Sequence, residues 1–121
     1  MTLEQLPRRN NICAAYAVAA EPLEQVAATL VNNTLNTVVT GAAGKRIEVY
    51  GIILSPNAFA GVTLRSGSNT IVILYVPPEG GLWRQAAGDT PLLAGNLGES
   101  LSMQSDQATF TASVLLQYRL V

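Results

Sequence analysis

Apolar and polar side chains alternate along the last dozen residues of the chain. Phe110, Ala112, Val114, Leu116, Tyr118 and Leu120 fall on one side of an extended backbone. Thr109, Thr111, Ser113, Leu115, Gln117 and Arg119 fall on the other. A period of two over this length predicts a long β-strand with one face buried and one mostly wet. The pattern runs to Val121, so the expectation is a compact β domain that closes inside its own sheet, with no C-terminal tail.

The same pattern, read with the turn residues, divides the rest of the chain. Met1 to Asn11 is polar around Pro7 and reads as an extended N-terminal arm. Ile12 to Ala20 reads as a strand, with Ile12, Tyr16 and Val18 on one face and only Cys and Ala on the other. Glu21 to Val31 is ambiguous. Leu23, Val26, Ala27 and Leu30 fall at helical spacing and Pro22 suits a first helical position, so the segment reads as a short helix. Leu35–Thr40 and Lys45–Leu54 read as strands around the Gly41–Gly44 turn, and Ser55-Pro56-Asn57 as the break after them. Gly61–Arg65 and Asn69–Val76 flank Ser66-Gly67-Ser68, a hairpin loop. Glu79 to Gln85 and Ala86 to Asn96 read as loops, and Ser100 to Gln104 as a strand before the last one. About seven or eight strands with turn signals every eight to twelve residues predict an all-β fold: an antiparallel β-sandwich or jelly roll. The domain is expected over residues 12–121, with 1–11 as the arm.

Composition changes what such a domain is for. Apolar residues make up 49% of the chain and charged residues only 12%, against a globular norm of about 25% charged. A surface this poor in charge suits a protein that hides much of itself against copies or partners. Net charge is −1, which sets up no field for nucleic acid or acidic membranes. Arg8-Arg9 and Lys45-Arg46 are the basic pairs, and neither has interleaved aromatics. No apolar run approaches the ~20 residues of a membrane helix. Neither nucleic acid nor membrane is therefore an expected partner. Arg8-Arg9 before the Ala-rich run at 12–20 imitates a signal peptide, but Glu4 and Pro7 in the would-be basic region and the weak apolar stretch argue against it.

Candidate chemistry is thin. The chain has no histidine, which removes the usual general base and the commonest metal ligand, and no cofactor is expected. Cys13 is the only cysteine, so no intrachain disulfide forms. Gly41-x-x-Gly44-Lys45 lacks the first glycine and the final hydroxyl residue of a phosphate loop and reads as a β-turn. Glu79, Asp89 and Glu99 are scattered loop acids, short of the facing carboxylate pair a glycosidase needs. The expectation is that the protein is not an enzyme. Trp83, in Gly80-Gly81-Leu82-Trp83-Arg84, reads either as a cap on one end of the sandwich or, with Leu82 and Arg84, as an interface anchor. In the arm, Leu3, Leu6, Arg8 and Arg9 are candidate contacts to a partner.

Several segments together resemble a known group. They are Gly44-Lys45-Arg46-Ile47-Glu48-Val49-Tyr50-Gly51 opening after an Ala/Gly turn, the Val62–Gly67 hairpin segment Val-Thr-Leu-Arg-Ser-Gly, the Gly80-Gly81 loop, Gly98-Glu99-Ser100-Leu101, and the closing Tyr118-Arg119-Leu120-Val121. Their order resembles that of small β-sandwich proteins among the structural proteins of tailed bacteriophages, whose members serve as capsid decoration, or cement, proteins. The resemblance covers roughly Leu35 to Val121; Met1 to Val31 departs from it, and no functional residue carries across. It implies a virion protein on the outer capsid surface, with the major capsid protein as partner, acting as a homo-oligomer, a trimer before a dimer. The alternative is a carbohydrate-binding β-sandwich of a phage tail tip or bacterial surface, which would need an exposed, concave cluster of Trp and Tyr.

Overall fold

The computed structural model describes residues 23–121, and these are all-β, with no helix among them. The arm at 1–11, the strand expected over Ile12–Ala20 and the domain start at residue 12 lie outside the described residues, as do Leu3, Leu6, Arg8 and Arg9. Nine strands follow in order: β1 (Glu24–Val31), β2 (Asn36–Val39), β3 (Ile47–Pro56), β4 (Ala60–Ser66), β5 (Asn69–Val76), β6 (Leu82–Gln85), β7 (Leu93–Ala94), β8 (Leu101–Ser105) and β9 (Thr111–Leu120).

They form two antiparallel sheets packed face to face. The first has the order β1-β9-β3-β6, with β7 also on β3, beyond the end of β6. The second has the order β2-β8-β4-β5. Apart from the β4–β5 hairpin and the β6–β7 edge, successive strands alternate between the sheets. This wrapping is the jelly roll.

The closing strand sets the register of the first sheet. Along β9, Ala112, Val114 and Leu116 are buried, and Thr111, Ser113 and Leu115 are exposed. Leu116 lies opposite Val26 on one side and Ile52 on the other; Val114 lies opposite Ala28 and Leu54. A one-residue slip would turn all of these to water, so burial pins the pairing. Phe110, 1% exposed, and Leu30, Leu64 and Met103, each fully buried, fill the space between the sheets.

Two expectations are corrected. The segment read as a short helix is β1 from Glu24 onward. Its residues also alternate, with Val26, Ala28 and Leu30 turned inward and Gln25, Ala27, Thr29 and Val31 outward. Eight paired positions along β9 decide between the two periods. The segments read as loops at 79–96 carry β6 and β7. In addition, Pro56 stays within β3, and the turn falls just after it. Gly41–Gly44 is the turn expected: the Lys45 N–H donates to the Ala42 carbonyl and Gly44 has a φ of 74°.

Candidate functional site

The outer face of the first sheet is built by the residues that β9 turns away from the core. Register places Ala27, Leu115, Ile53 and Trp83 side by side across four strands. Trp83 is 66% exposed and Ile53 39%. The neighbouring row is Gln25, Gln117, Gly51 and Gln85. Here the Gln85 side-chain amide donates to the Gln117 Oε1 at 3.1 Å, passing over Gly51, whose missing side chain leaves room. On the other flank lie Thr29, Ser113 and Ser55. None of these positions is charged. Directly opposed Cβ atoms lie about 5 Å apart, so Leu115, Ile53 and Trp83 form one continuous apolar strip. A shallow hollow of about 40 Å³ dips beside Trp83, between it and Gln117.

Beyond the glutamine row the face becomes polar and partly covered. Pairing between β9 and β3 slips between Gln117 and Tyr118, which leaves Tyr50 as an extra residue on β3. The bulge turns its ring outward, under the segment that joins β6 to β7. There the Tyr50 hydroxyl donates to Glu48 Oε1 at 2.6 Å, and the Arg119 guanidinium stacks 4.7 Å from the ring centre. The Glu48 hydrogen bond, then burial, raise the Tyr50 pKa above its usual value, so the phenol stays neutral. The Ala86 N–H donates to the Tyr50 carbonyl at 2.7 Å and the Leu92 N–H to the Val49 carbonyl at 2.8 Å, fixing both ends of the covering segment. This arrangement is a structural clamp. It holds no nucleophile beside a base, and Glu48 is engaged by the phenol.

The three residues proposed around the tryptophan part company. Trp83 stands on the outer face and does not cap the sandwich. Leu82 is 9% exposed and belongs to the core. Arg84 pairs with the inward-facing Ile52 and lies at the mouth of a cleft between the sheets, its guanidinium donating to the Trp83 carbonyl at 2.9 Å. Tyr75, 65% exposed, stands on the outer face of the second sheet, so it and Trp83 share no platform. The loop acids do not meet: no group of three potential metal-ligating residues occurs among the described residues. Glu99 instead accepts from the buried Ser66 hydroxyl at 2.8 Å and from the Asn96 amide at 3.0 Å, tying the 95–100 turn to the β4–β5 hairpin.

No protein-family model matches the chain, and no curated protein matches it. The exposed face therefore has to be judged on its own chemistry.

The sequence pattern does not single out Ile53 or Leu115 as candidate contacts. Leu115 was placed correctly on the wet side of its strand, but only the register shows that Ile53 and Trp83 lie in line with it.

Proposed function

We propose that this protein is a non-enzymatic virion component: a capsid decoration protein that lays the outer face of its first sheet on the shell of a tailed bacteriophage. The observation that carries the proposal is the uncharged strip Ala27–Leu115–Ile53–Trp83, flanked only by Gln, Gly, Ser and Thr. Exposed apolar surface rimmed by neutral polar groups fits a protein partner, and Trp is the residue type most enriched at binding hot spots. The jelly-roll topology and the resemblance of Leu35–Val121 to decoration proteins support the same reading. Jelly rolls also serve other functions, so the fold contributes by analogy alone.

The mechanism is mass action. A protein that binds the assembled shell and not its parts stabilises the shell by an amount set by its affinity and concentration. Copies bridging neighbouring capsomers resist internal pressure, and self-association adds avidity. The arm residues Leu3, Leu6, Arg8 and Arg9 are further contacts under this proposal. The sugar-binding alternative draws no support from the described aromatics, since Trp83 and Tyr75 lie on opposite outer faces and Tyr50 is buried. Mass photometry of the protein alone and with empty tailed-phage capsids tests the proposal. Saturable added mass on the capsids is the expected result, and unchanged capsid mass at micromolar protein overturns it.

A further inference from the structure

Among the described residues, the second sheet ends in an unguarded edge. Strand β5 runs for eight residues, Asn69–Val76, at the border of its sheet, and no described residue hydrogen-bonds its outer side. Soluble proteins usually blunt such an edge with lysine, proline or a bulge. The sequence Asn-Thr-Ile-Val-Ile-Leu-Tyr-Val has no charge and no proline. Its one irregularity, at Ile71, sits near the start and leaves Val72–Val76 in regular register with β4. Ile73 and Tyr75 on its outer side are 47% and 65% exposed.

A cleft opens beside the same edge. On the facing border of the first sheet, β6 stops at Gln85 and β7 begins at Leu93, because the intervening segment leaves to cover Tyr50. The gap exposes an apolar cleft of about 320 Å³ between the sheets, walled by Val72 and Leu74 on one side and by Leu92 and Leu93 on the other. Its only charged lining residue, Arg84, is turned back onto the Trp83 carbonyl.

We propose that β5 is the self-association edge: two copies pair their β5 strands antiparallel about a two-fold axis, joining the second sheets into one eight-stranded sheet. The occupant follows from charge and symmetry. Around a two-fold axis the residue on the axis meets its own equivalent, so a charge there would oppose a like charge. β5 has none. Side-chain parity also survives the operation. With the axis at Ile73, Val72 meets the second copy's Leu74; with the axis at Leu74, Val72 meets its Val76 and Ile73 meets its Tyr75. In both registers inward residues oppose inward residues, so the two clefts close against each other, and the exposed Ile73 meets the second copy's Ile73 in the first register and its Tyr75 in the second. This edge is separate from the face assigned to the shell, so the inference stands or falls independently of the capsid proposal.

Full-length protein tests it by sedimentation velocity near 10 µM, beside a variant carrying Ile73→Lys. Ile73 is exposed and faces outward, so the variant keeps its fold, checked by circular dichroism. The expected result is a wild-type dimer and at least a tenfold rise in its dissociation constant on substitution. A monomeric wild type, or a variant that dimerises as well as wild type, overturns the proposal. A second full-length variant, Ile73→Cys with Tyr75→Cys, is oxidised with diamide and mapped by mass spectrometry. Opposed Cα atoms in a ladder, about 4.5–5.5 Å apart, suit a disulfide. A bond between the β5 cysteines of two copies supports the pairing. A bond from β5 to Cys13 shows that the N-terminal run covers this edge, and overturns it.

Discussion

Two adjacent glycines separate backbone strain from steric contact. Gly80 and Gly81 both hold left-handed backbone, with φ of 81° and 60°. A Cβ at Gly80 would meet nothing within 4 Å, whereas one at Gly81 would collide with the carbonyl oxygen of Leu54 and lie 3.2 Å from its carbon. Gly80→Ala therefore costs only the left-handed conformation, about 1–2 kcal/mol. Gly81→Ala carries the same cost and must also push the start of β6 away from β3, where Leu82 faces Leu54. Loosening that end gives up a backbone hydrogen bond, about 1 kcal/mol, and part of the Leu82 burial, which is about 1.5–3 kcal/mol when complete. The expected total is about 3–5 kcal/mol, roughly 2 kcal/mol or more beyond Gly80→Ala. Urea unfolding reads the difference as a shift of midpoint at constant slope. At about 4–8 °C per kcal/mol for a domain of this order, thermal melting separates the variants by 8 °C or more. If the two variants unfold together, β6 does not lie against Leu54, and the placement of Trp83 two residues later falls with it.

Three further outcomes are expected. Phe110→Ala removes a ring that is 1% exposed and should cost about 3–5 kcal/mol by urea unfolding; a loss under 1 kcal/mol would contradict its place between the sheets. The Tyr118 hydroxyl donates to Glu24 at 3.1 Å, and burial, then the Glu24 hydrogen bond and charge, raise its pKa above 10.0. The neutral phenol is the form the fold prefers, so its stability contribution is complete below pH 10 and lost as pH rises through the raised value. Tyr118→Phe should flatten part of this alkaline loss, with Tyr50 supplying the rest, and an unchanged pH profile would refute the assignment. Asp106 accepts from the Gln107 amide and the Gly61 N–H, which hold its carboxyl below 3.8. Its contribution is present above pH 3.8 and lost as pH falls through the lowered value, and Asp106→Ala should show a smaller acid loss as pH falls below 3.8.

The elements most legible in the sequence are those where one periodicity had no rival. Thr111–Leu120 alternates cleanly, and Gly67 marks the β4–β5 hairpin because its φ of 59° suits glycine. Residues 24–31 were misread because Leu23, Val26, Ala27 and Leu30 satisfy helical spacing while the same stretch alternates. The choice belongs to β9, more than 80 residues away in sequence for most of the pairs. β6 and β7 are short, four and two residues, and exist because β3 offers an edge, which no local pattern announces. The bulge at Tyr50 is equally silent. Without it Glu48, Tyr50 and Ile52 would share a face, and neither the clamp with Arg119 nor the break between β6 and β7 would follow. The surface strip could not be read for the same reason: Ile53, Leu115 and Trp83 are ordinary residues until register sets them in line.

The central claim is that the uncharged outer face of the first sheet carries the binding. Face mapping by co-sedimentation with empty tailed-phage capsids tests it most directly, using wild type, Trp83→Ala and Ile53→Lys, with Thr63→Lys on the outer face of the second sheet as control. All three positions are exposed or partly exposed, so folding should survive in each variant. A buried Trp anchor is worth at least about 2 kcal/mol, roughly 30-fold in affinity. The account predicts that Trp83→Ala and Ile53→Lys lose binding by that factor or more while Thr63→Lys binds as wild type. Equal binding by all four proteins, or loss confined to Thr63→Lys, would contradict it.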